Sequence, residues 1–139
     1  MDYSPYVPGS LEMAAVACTV QAGFPSPADD HVSKRIDVLE HLVKHPQATF
    51  QMRVSGDSMR DAHIFDGDML IIDRAVNPRH WHVVVAVIDN EFTVKFYWER
   101  AGRVKLKAAN PIYPDYVPKD GQTISIWGVV LASITKMRV

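Results

Sequence analysis

One serine and one lysine in this chain stand where they could support nucleophilic chemistry. Ser58 follows Gly56 and Asp57, which favour a tight turn after an apolar run, and Lys95 lies downstream in a strand-like segment. A serine hydroxyl is a weak nucleophile until a base removes its proton, and a neutral lysine amine can be that base. Taken singly, such residues are more often a loop serine and a solvated lysine.

The lysine can act as a base only while it is neutral. Its free pKa of about 10.4 leaves roughly one amine in a few thousand uncharged at pH 7, and burial away from carboxylates lowers that pKa. In residues 91–98, large apolar side chains alternate with a second set of residues that includes Lys95. The neighbours of Lys95 on the same face, Thr93 and Tyr97, carry no carboxylate. None of the six histidines stands in a motif typical of Ser-His catalysis.

The elements that must position this pair are predicted to be β-strands. Alternating apolar residues bounded by turn signals predict strands at residues 49–54, 69–73, 82–89, 91–98, 104–108 and 124–139. Asp89 and Asn90 predict a tight hairpin turn, and the run 124–131 is apolar enough to be buried on both sides. We therefore predict a mostly β fold forming one compact, curled domain.

The N-terminal part is predicted to be an arm followed by a linker. Residues 1–10 are expected to be irregular, and residues 11–20 form either a short helix or a strand. Gly23, Pro25 and Pro27 predict an extended, accessible linker, since proline breaks a helix. The domains are thus an arm at residues 1–22 and a globular part at residues 23–139.

A short helix is predicted after this linker. Asp29 or Asp30 caps its start, Pro46 lies just beyond its end, and its apolar residues, Ile36, Leu39, Leu42 and Val43, fall on one face. His41 and His45 are four residues apart, a spacing that can bind a metal, but no third ligand is apparent, so no metal and no cofactor is predicted. His45 is interpreted as a favourable partner of the helix dipole.

Composition limits the class of protein. A chain of 139 residues with 47% hydrophobic content and a net charge of -1 can bury one core, and it is not visibly basic as a nucleic-acid-coating protein would be. The single cysteine, Cys18, rules out an intrachain disulfide and is interpreted as a small apolar residue. The apolar run at 11–20 is too short to span a bilayer. We expect a soluble, cytoplasmic protein.

Four motifs carry a resemblance to a known family: SGDSM at residues 55–59, DGD at 66–68 before an apolar strand, FTVK at 92–95 and AGFPSPA at 22–28. In this order, over about residues 20–139, they resemble the LexA/UmuD family of self-cleaving serine peptidases and, within it, the UmuD/MucA/ImpA type. The sequence departs from the family pattern at Trp81-His82 and at Phe96-Tyr97.

The resemblance implies a LexA/UmuD-type peptidase domain with Ser58 as nucleophile, Lys95 as general base, and the backbone N–H groups of Asp57 and Ser58 as oxyanion hole. It implies that the chain cuts its own Ala22–Gly23 bond. It also implies a role in the SOS response to DNA damage, with cleavage stimulated by a RecA–single-stranded DNA filament. The shortened form would be a homodimer that joins a Y-family, UmuC-like translesion polymerase subunit.

Two alternatives belong to other classes. The domain could be a non-catalytic, dimeric polymerase-accessory module whose peptidase site is vestigial. A bacterial signal peptidase also pairs a serine with a lysine, but such enzymes carry an apolar membrane anchor, which this sequence lacks.

Overall fold

The computed structural model describes residues 3–8, 12–16, 22–23, 33–119 and 121–139. These residues form nine strands and two short 3-10 helices, at Pro46–Ala48 and Arg60–Ala62. The strands are β1 (Tyr3–Pro5), β2 (Glu12–Val16), β3 (Ser33–Asp37), β4 (Thr49–Arg53), β5 (Met69–Asp73), β6 (Val83–Ile88), β7 (Glu91–Arg100), β8 (Arg103–Lys107) and β9 (Ser125–Ile134). The chain divides into two compact units, one of Met1–Tyr6 with His45–Val139 and one of Val7–Lys44.

The larger unit is built on one antiparallel sheet of seven strands in the order β1-β4-β5-β9-β6-β7-β8. The strand that comes last in sequence lies in the middle, where β9 pairs with β5 on one side and β6 on the other. Gly128 of β9 permits this approach, because a Cβ there would lie 2.5 Å from Ile72 Cγ2. The prolines and turn residues between strands confine each ladder to a short segment.

Two apolar clusters form the core of this unit. The first contains Met52, Val54, Met59, Ile64, Leu70, Ile72, Val85 and Val94, and the second contains Val84, Ala86, Leu106 and Val129. Neighbours such as Val84 and Val85 belong to different clusters because successive side chains of a strand point to opposite faces. The period of two residues seen in the sequence therefore reflects side chains that enter the first and the second cluster in turn.

The smaller unit contains a two-stranded antiparallel ladder between β2 and β3. A series of turns follows β3, starting where the buried Asp37 accepts hydrogen bonds from the backbone of the next residues. The bond Ala22–Gly23 also belongs to this unit, in a bend at which both residues are exposed.

The prediction of a mostly β protein is confirmed. All six predicted strands are present, β5 with the predicted bounds and the others within a few residues at each end except β9, which stops at Ile134. Asp89 and Asn90 have φ values of 50° and 64°, as a tight hairpin turn between β6 and β7 requires. The run 124–131 is only partly buried, since Gly128 and Val129 alone are fully enclosed.

Three predictions about the N-terminal part are corrected. Residues 3–5 are not irregular but form β1, whose Tyr3 ring packs against Phe50 and Trp127. The predicted helix is wrong, because residues 33–37 form β3 and residues 38–42 form turns. Of the two options open for residues 11–20, residues 12–16 are a strand. Apolar spacing over so short a run fits a strand and turns as well as a helix.

The interpretation of His45 changes with the helix. No helix ends at His45, which instead directly precedes the 3-10 helix Pro46–Ala48, and His45 Nδ1 lies 2.7 Å from the fully buried carboxylate of Asp73. The described residues include no group of three or more metal-ligating side chains. Three other features lie outside the described residues: Cys18, the proline-containing linker at 25–27, and the proposed caps Asp29 and Asp30.

The two departures from the family pattern contact each other. Trp81 has a φ of 67°, and its ring packs edge-on against Phe96 with centroids 5.3 Å apart. Backbone bonds join the same segments, from Trp81 N–H to the Tyr97 carbonyl and from Tyr97 N–H to the His82 carbonyl. The unusual residues at 81–82 and 96–97 are therefore one packed feature at the start of the β6–β7 ladder.

Candidate active site

Ser58 lies in a turn between β4 and the 3-10 helix at Arg60–Ala62. Gly56 has a φ of 97°, a left-handed conformation that glycine adopts without steric cost. Its N–H donates to Asp66 Oδ1 at 2.8 Å, which connects the turn to the DGD segment. Met59, directly after the serine, is 2% exposed and anchors the turn in the first apolar cluster. The hydroxyl is thus presented on a fixed backbone.

The loop after β8 supports the same turn from another direction. The N–H of Ala109 donates to the Ser58 carbonyl at 2.8 Å, and the N–H of Asp61 donates to the Ala109 carbonyl at 2.8 Å. Asn110, which is 4% exposed, donates its side-chain Nδ2 to the Asp57 carbonyl at 3.0 Å. Residues distant in sequence therefore hold the backbone on both sides of the Ser58 side chain.

Lys95 lies within β7, where it is paired with Val84 of β6. Phe92, Val94 and Phe96 pack in or against the first apolar cluster, whereas Tyr97, on the same face of β7 as Lys95, packs against the second. The predicted alternation along β7 is confirmed, and the ladder fixes the direction in which the lysine extends.

The lysine Nζ lies 2.7 Å from Ser58 Oγ, within hydrogen-bond distance. Burial lowers the pKa of Lys95, because desolvation disfavours its charged form. In the described part of the chain, no carboxylate oxygen lies within ion-pair distance of Nζ. The structure thus brings together a hydroxyl and an amine whose neutral form is favoured by its surroundings.

Tyr113 lies beside both residues of this pair. Its ring centroid is 5.8 Å from Lys95 Nζ, and its hydroxyl donates to Asp57 Oδ1 at 2.5 Å. That bond to a carboxylate raises the pKa of Tyr113, since it is lost when the phenol ionises. The Tyr113 side chain therefore connects the turn that carries Ser58 with Lys95.

The backbone N–H groups of Asp57 and Ser58 have no hydrogen-bond acceptor among the residues that the structure describes. They are adjacent donors beside a nucleophilic hydroxyl. An oxyanion hole requires donors of this kind, unpaired before the reaction and fixed in direction.

A small pocket opens next to Ser58. It has a volume of about 60 Å³, and its walls come from the turn and from β7: Val54, Ser55, Gly56, Ser58, Met59, Phe92, Thr93 and Val94. A wider groove of about 840 Å³ shares Val54, Ser55 and Phe92 with it and continues towards Gly67 and Asn90. A small pocket that continues into a wider groove suits an extended peptide that places a small side chain beside Ser58.

Comparison with known proteins identifies the family. The sequence pattern of the family described as Peptidase S24-like matches residues 14–131. This chain belongs to the Peptidase S24-like family. Its fold, mostly β with one antiparallel seven-stranded sheet, is consistent with that membership.

Several curated proteins are similar to this S24-like chain along most of its length. Protein MucA of Salmonella typhimurium is 44% identical over 116 residues, which are 83% of this chain and 79% of MucA. Protein ImpA of Escherichia coli is 40% identical over 123 residues, 85% of this chain and 80% of ImpA. The LexA repressor of Shewanella woodyi is 38% identical over 116 residues, 83% of this chain but 56% of the repressor.

The sequence of this S24-like chain does not reveal that the loop after β8 supports the turn that carries Ser58. Pro111 and Pro114 are typical of an irregular segment, but nothing in that pattern assigns a role to Ala109, Asn110 or Tyr113. An asparagine directly before a proline is an ordinary turn signal. Asn110 is distinguished only by its 4% exposure and by its hydrogen bond to the Asp57 carbonyl.

The described residues contain no helical span with the length and apolarity that crossing a membrane requires.

Proposed function

We propose that this chain is a self-cleaving serine endopeptidase that cuts its own Ala22–Gly23 bond, with Ser58 as nucleophile and Lys95 as general base. The observation that carries the proposal is the 2.7 Å distance between Lys95 Nζ and Ser58 Oγ, at an amine whose pKa is lowered by burial. A neutral amine at this distance can accept the hydroxyl proton as the oxygen attacks.

The reaction proceeds by acyl transfer. Ser58 Oγ forms a bond to the Ala22 carbonyl carbon while its proton moves to Lys95, and the N–H groups of Asp57 and Ser58 stabilise the resulting oxyanion. Collapse of this intermediate breaks the Ala22–Gly23 bond, and the Lys95 ammonium gives its proton to the departing Gly23 amine. Water, deprotonated by Lys95, then hydrolyses the Ala22 ester and restores Ser58.

The small pocket supports the choice of substrate bond. The pocket beside Ser58, about 60 Å³ in volume, suits a side chain as small as the methyl group of Ala22. Gly23 has no Cβ, so the chain after the bond can approach the nucleophile closely. Both residues are exposed in a bend, as a cleavable segment must be.

The proposed biological role follows from the similarity to MucA and ImpA. We assign the chain to the SOS response, in the cytoplasm, where a RecA–single-stranded DNA filament stimulates cleavage. The product, residues 23–139, forms a homodimer and serves as accessory subunit of a UmuC-like Y-family translesion polymerase.

Incubation of the purified chain at alkaline pH tests the proposal, because more of the lysine is then neutral. The expected product begins at Gly23, as N-terminal sequencing and intact mass would show, and Ser58→Ala and Lys95→Ala should not form it. A fragment from either variant at the wild-type rate would refute the assignment. If the wild-type chain gave no fragment, even with the RecA–single-stranded DNA filament added, the alternative of a vestigial site in an accessory module would replace it.

A further inference from the structure

Asn110 uses both ends of its buried carboxamide in the active-site region. Its Nδ2 donates to the Asp57 carbonyl at 3.0 Å, and its Oδ1 accepts from the Ile112 N–H at 3.3 Å. A backbone carbonyl can only accept and a backbone N–H can only donate, so these partners fix which end of the side chain is the amide nitrogen. Asn110 is 4% exposed, so its carboxamide is largely shielded from water.

The Asp57 carbonyl and the Ser58 N–H belong to the same peptide group. This group is planar and trans, so its C=O and N–H bonds point in nearly opposite directions. A donor that holds the carbonyl therefore determines where the N–H points. The Asn110 bond also withdraws electron density through the amide, which makes the Ser58 N–H a stronger donor.

We propose that Asn110 is a positioning residue that aims the Ser58 N–H into the oxyanion hole. This inference rests on the proposed peptidase function. Asn110 contacts neither the serine hydroxyl nor the lysine amine; it acts through the backbone of the Asp57–Ser58 peptide. The Arg60 N–H also donates to the Asp57 carbonyl, at 3.2 Å, but it lies within the same turn and moves with it. Asn110 supplies the connection to a separate part of the fold.

Self-cleavage of Asn110→Ala is the first measurement. We expect the first-order rate to fall by about 10- to 100-fold, somewhat less than direct removal of an oxyanion-hole donor costs. The pH at which the rate is half-maximal should not change, because Asn110 does not contact Lys95. The matched control is Ile112→Ala in the same loop, whose side chain is 77% exposed and whose N–H, the donor to Asn110, is retained. It should cleave at the wild-type rate.

A second measurement separates the oxyanion hole from the placement of the nucleophile. In a Ser58→Cys background, iodoacetamide alkylates the sulfur at position 58 as iodide leaves, a displacement in which no oxyanion forms. Mass spectrometry of the peptide containing residue 58 gives the rate separately from that of Cys18. Adding Asn110→Ala should change this rate by less than about twofold. A parallel loss of alkylation and cleavage would overturn the inference, because Asn110 would then be holding the nucleophile itself.

The outcomes distinguish this inference from the function on which it rests. If the wild-type chain does not cleave, the proposed function fails. If it cleaves and Asn110→Ala cleaves at the same rate with the same product, only the role of Asn110 fails. Thermal unfolding of each variant establishes that the assays are made on folded protein. If Asn110→Ala does not fold, Asn110→Ser, which is polar but too short to reach the Asp57 carbonyl, takes its place with the same expected loss.

Discussion

The two residues of the active site are held in different ways. Lys95 lies inside the ten-residue strand β7, where the β6–β7 ladder repeats the same hydrogen bonds on either side of it. Ser58 lies in irregular backbone, held by separate bonds from Asp66, Ala109 and Asn110. Lys95 is thus positioned by a repeated local pattern, and Ser58 by a few contacts that are distant in sequence.

This difference has a consequence for mutations. Loss of one ladder neighbour leaves the rest of β7 to hold Lys95, because ladder bonds are redundant. The turn has fewer bonds to share the loss of one contact, and small misplacement of a reacting group is costly in rate. Supporting residues of the serine should therefore affect catalysis more than supporting residues of the lysine. The following predictions probe Lys95, Ser58 and the elements that hold them, in order of decreasing effect.

Lys95→Arg tests whether the strand position alone is sufficient. A guanidinium stays protonated throughout the accessible pH range, so it can occupy the site without accepting the serine proton. We expect self-cleavage to fall by about 10³-fold or more at every pH, which is in the range for loss of a general base. Quantitative mass spectrometry of the Gly23 fragment measures the rate, and recovery of cleavage at high pH would contradict the assigned role.

Ala22→Phe tests the pocket beside Ser58, whose walls come from the serine turn and from β7. A phenyl group is much larger than the methyl group of alanine, and the pocket beside Ser58 is small, at about 60 Å³. We expect cleavage to slow by about 10²-fold, since each misfitting methylene already costs a factor of 10 or more. Ala22→Ser, of nearly the same size, is the control and should stay within a few-fold of wild type. Equal rates for the phenylalanine and serine variants would show that this pocket does not receive residue 22.

The pH dependence tests the lysine side alone. Because only the neutral amine is a base, the cleavage rate should rise about tenfold per pH unit and level off above the pKa of Lys95. Burial lowers that pKa, so the plateau should begin below the ordinary value of about 10.4. Rates measured from pH 6 to 11 would give the midpoint. A rate independent of pH over this range would contradict lysine as the titrating base.

Tyr113→Phe tests a weaker support of the serine turn. It removes the hydroxyl bonded to the Asp57 carboxylate but retains the ring beside Lys95. We expect at most about a threefold loss in cleavage rate, because exposed charged contacts contribute little. The loss should be smaller than for Asn110→Ala, because the Asn110 bond holds the backbone and its donor is buried. A larger loss would transfer the main supporting role to the tyrosine.

Lys95→Met tests the stability cost of the base. A buried lysine with a lowered folded-state pKa destabilises the fold at every pH below that pKa, and the cost disappears as the pH rises towards the unfolded value of about 10.4. The variant should therefore be more stable than wild type at pH 7, and this gain should shrink as the pH is raised. Since the amine is only half-buried, we expect less than about 1 kcal/mol. Urea unfolding at pH 7 and pH 10 measures it.

The difference between local and long-range support also decides which features can be predicted from the sequence. Strand β7 and the direction of Lys95 follow from alternation, a local signal, and both agree with the structure. The turn at Gly56 follows from its residue types. The contacts of Asn110 and Tyr113 with Asp57 join residues more than 50 positions apart, and no local pattern records them. Similarly, the apolar spacing of residues 36–43 predicted a helix. Residues 33–37 instead form β3 by pairing with β2, and this pairing cannot be deduced from those residues alone.

Strand β1 would give the proposed self-cleavage a second stage. The fragment 1–22 contains β1 and β2, which pair with β4 and β3 through only three and five residues. After the peptide bond is cut, the fragment would remain attached by these ladders until they fray, so bond scission and dissociation would have separate rate constants. Departure of β1 would make β4 the outer strand and uncover Phe50 and Trp127, which Tyr3 now contacts. The vacated edge would then be available to an incoming strand.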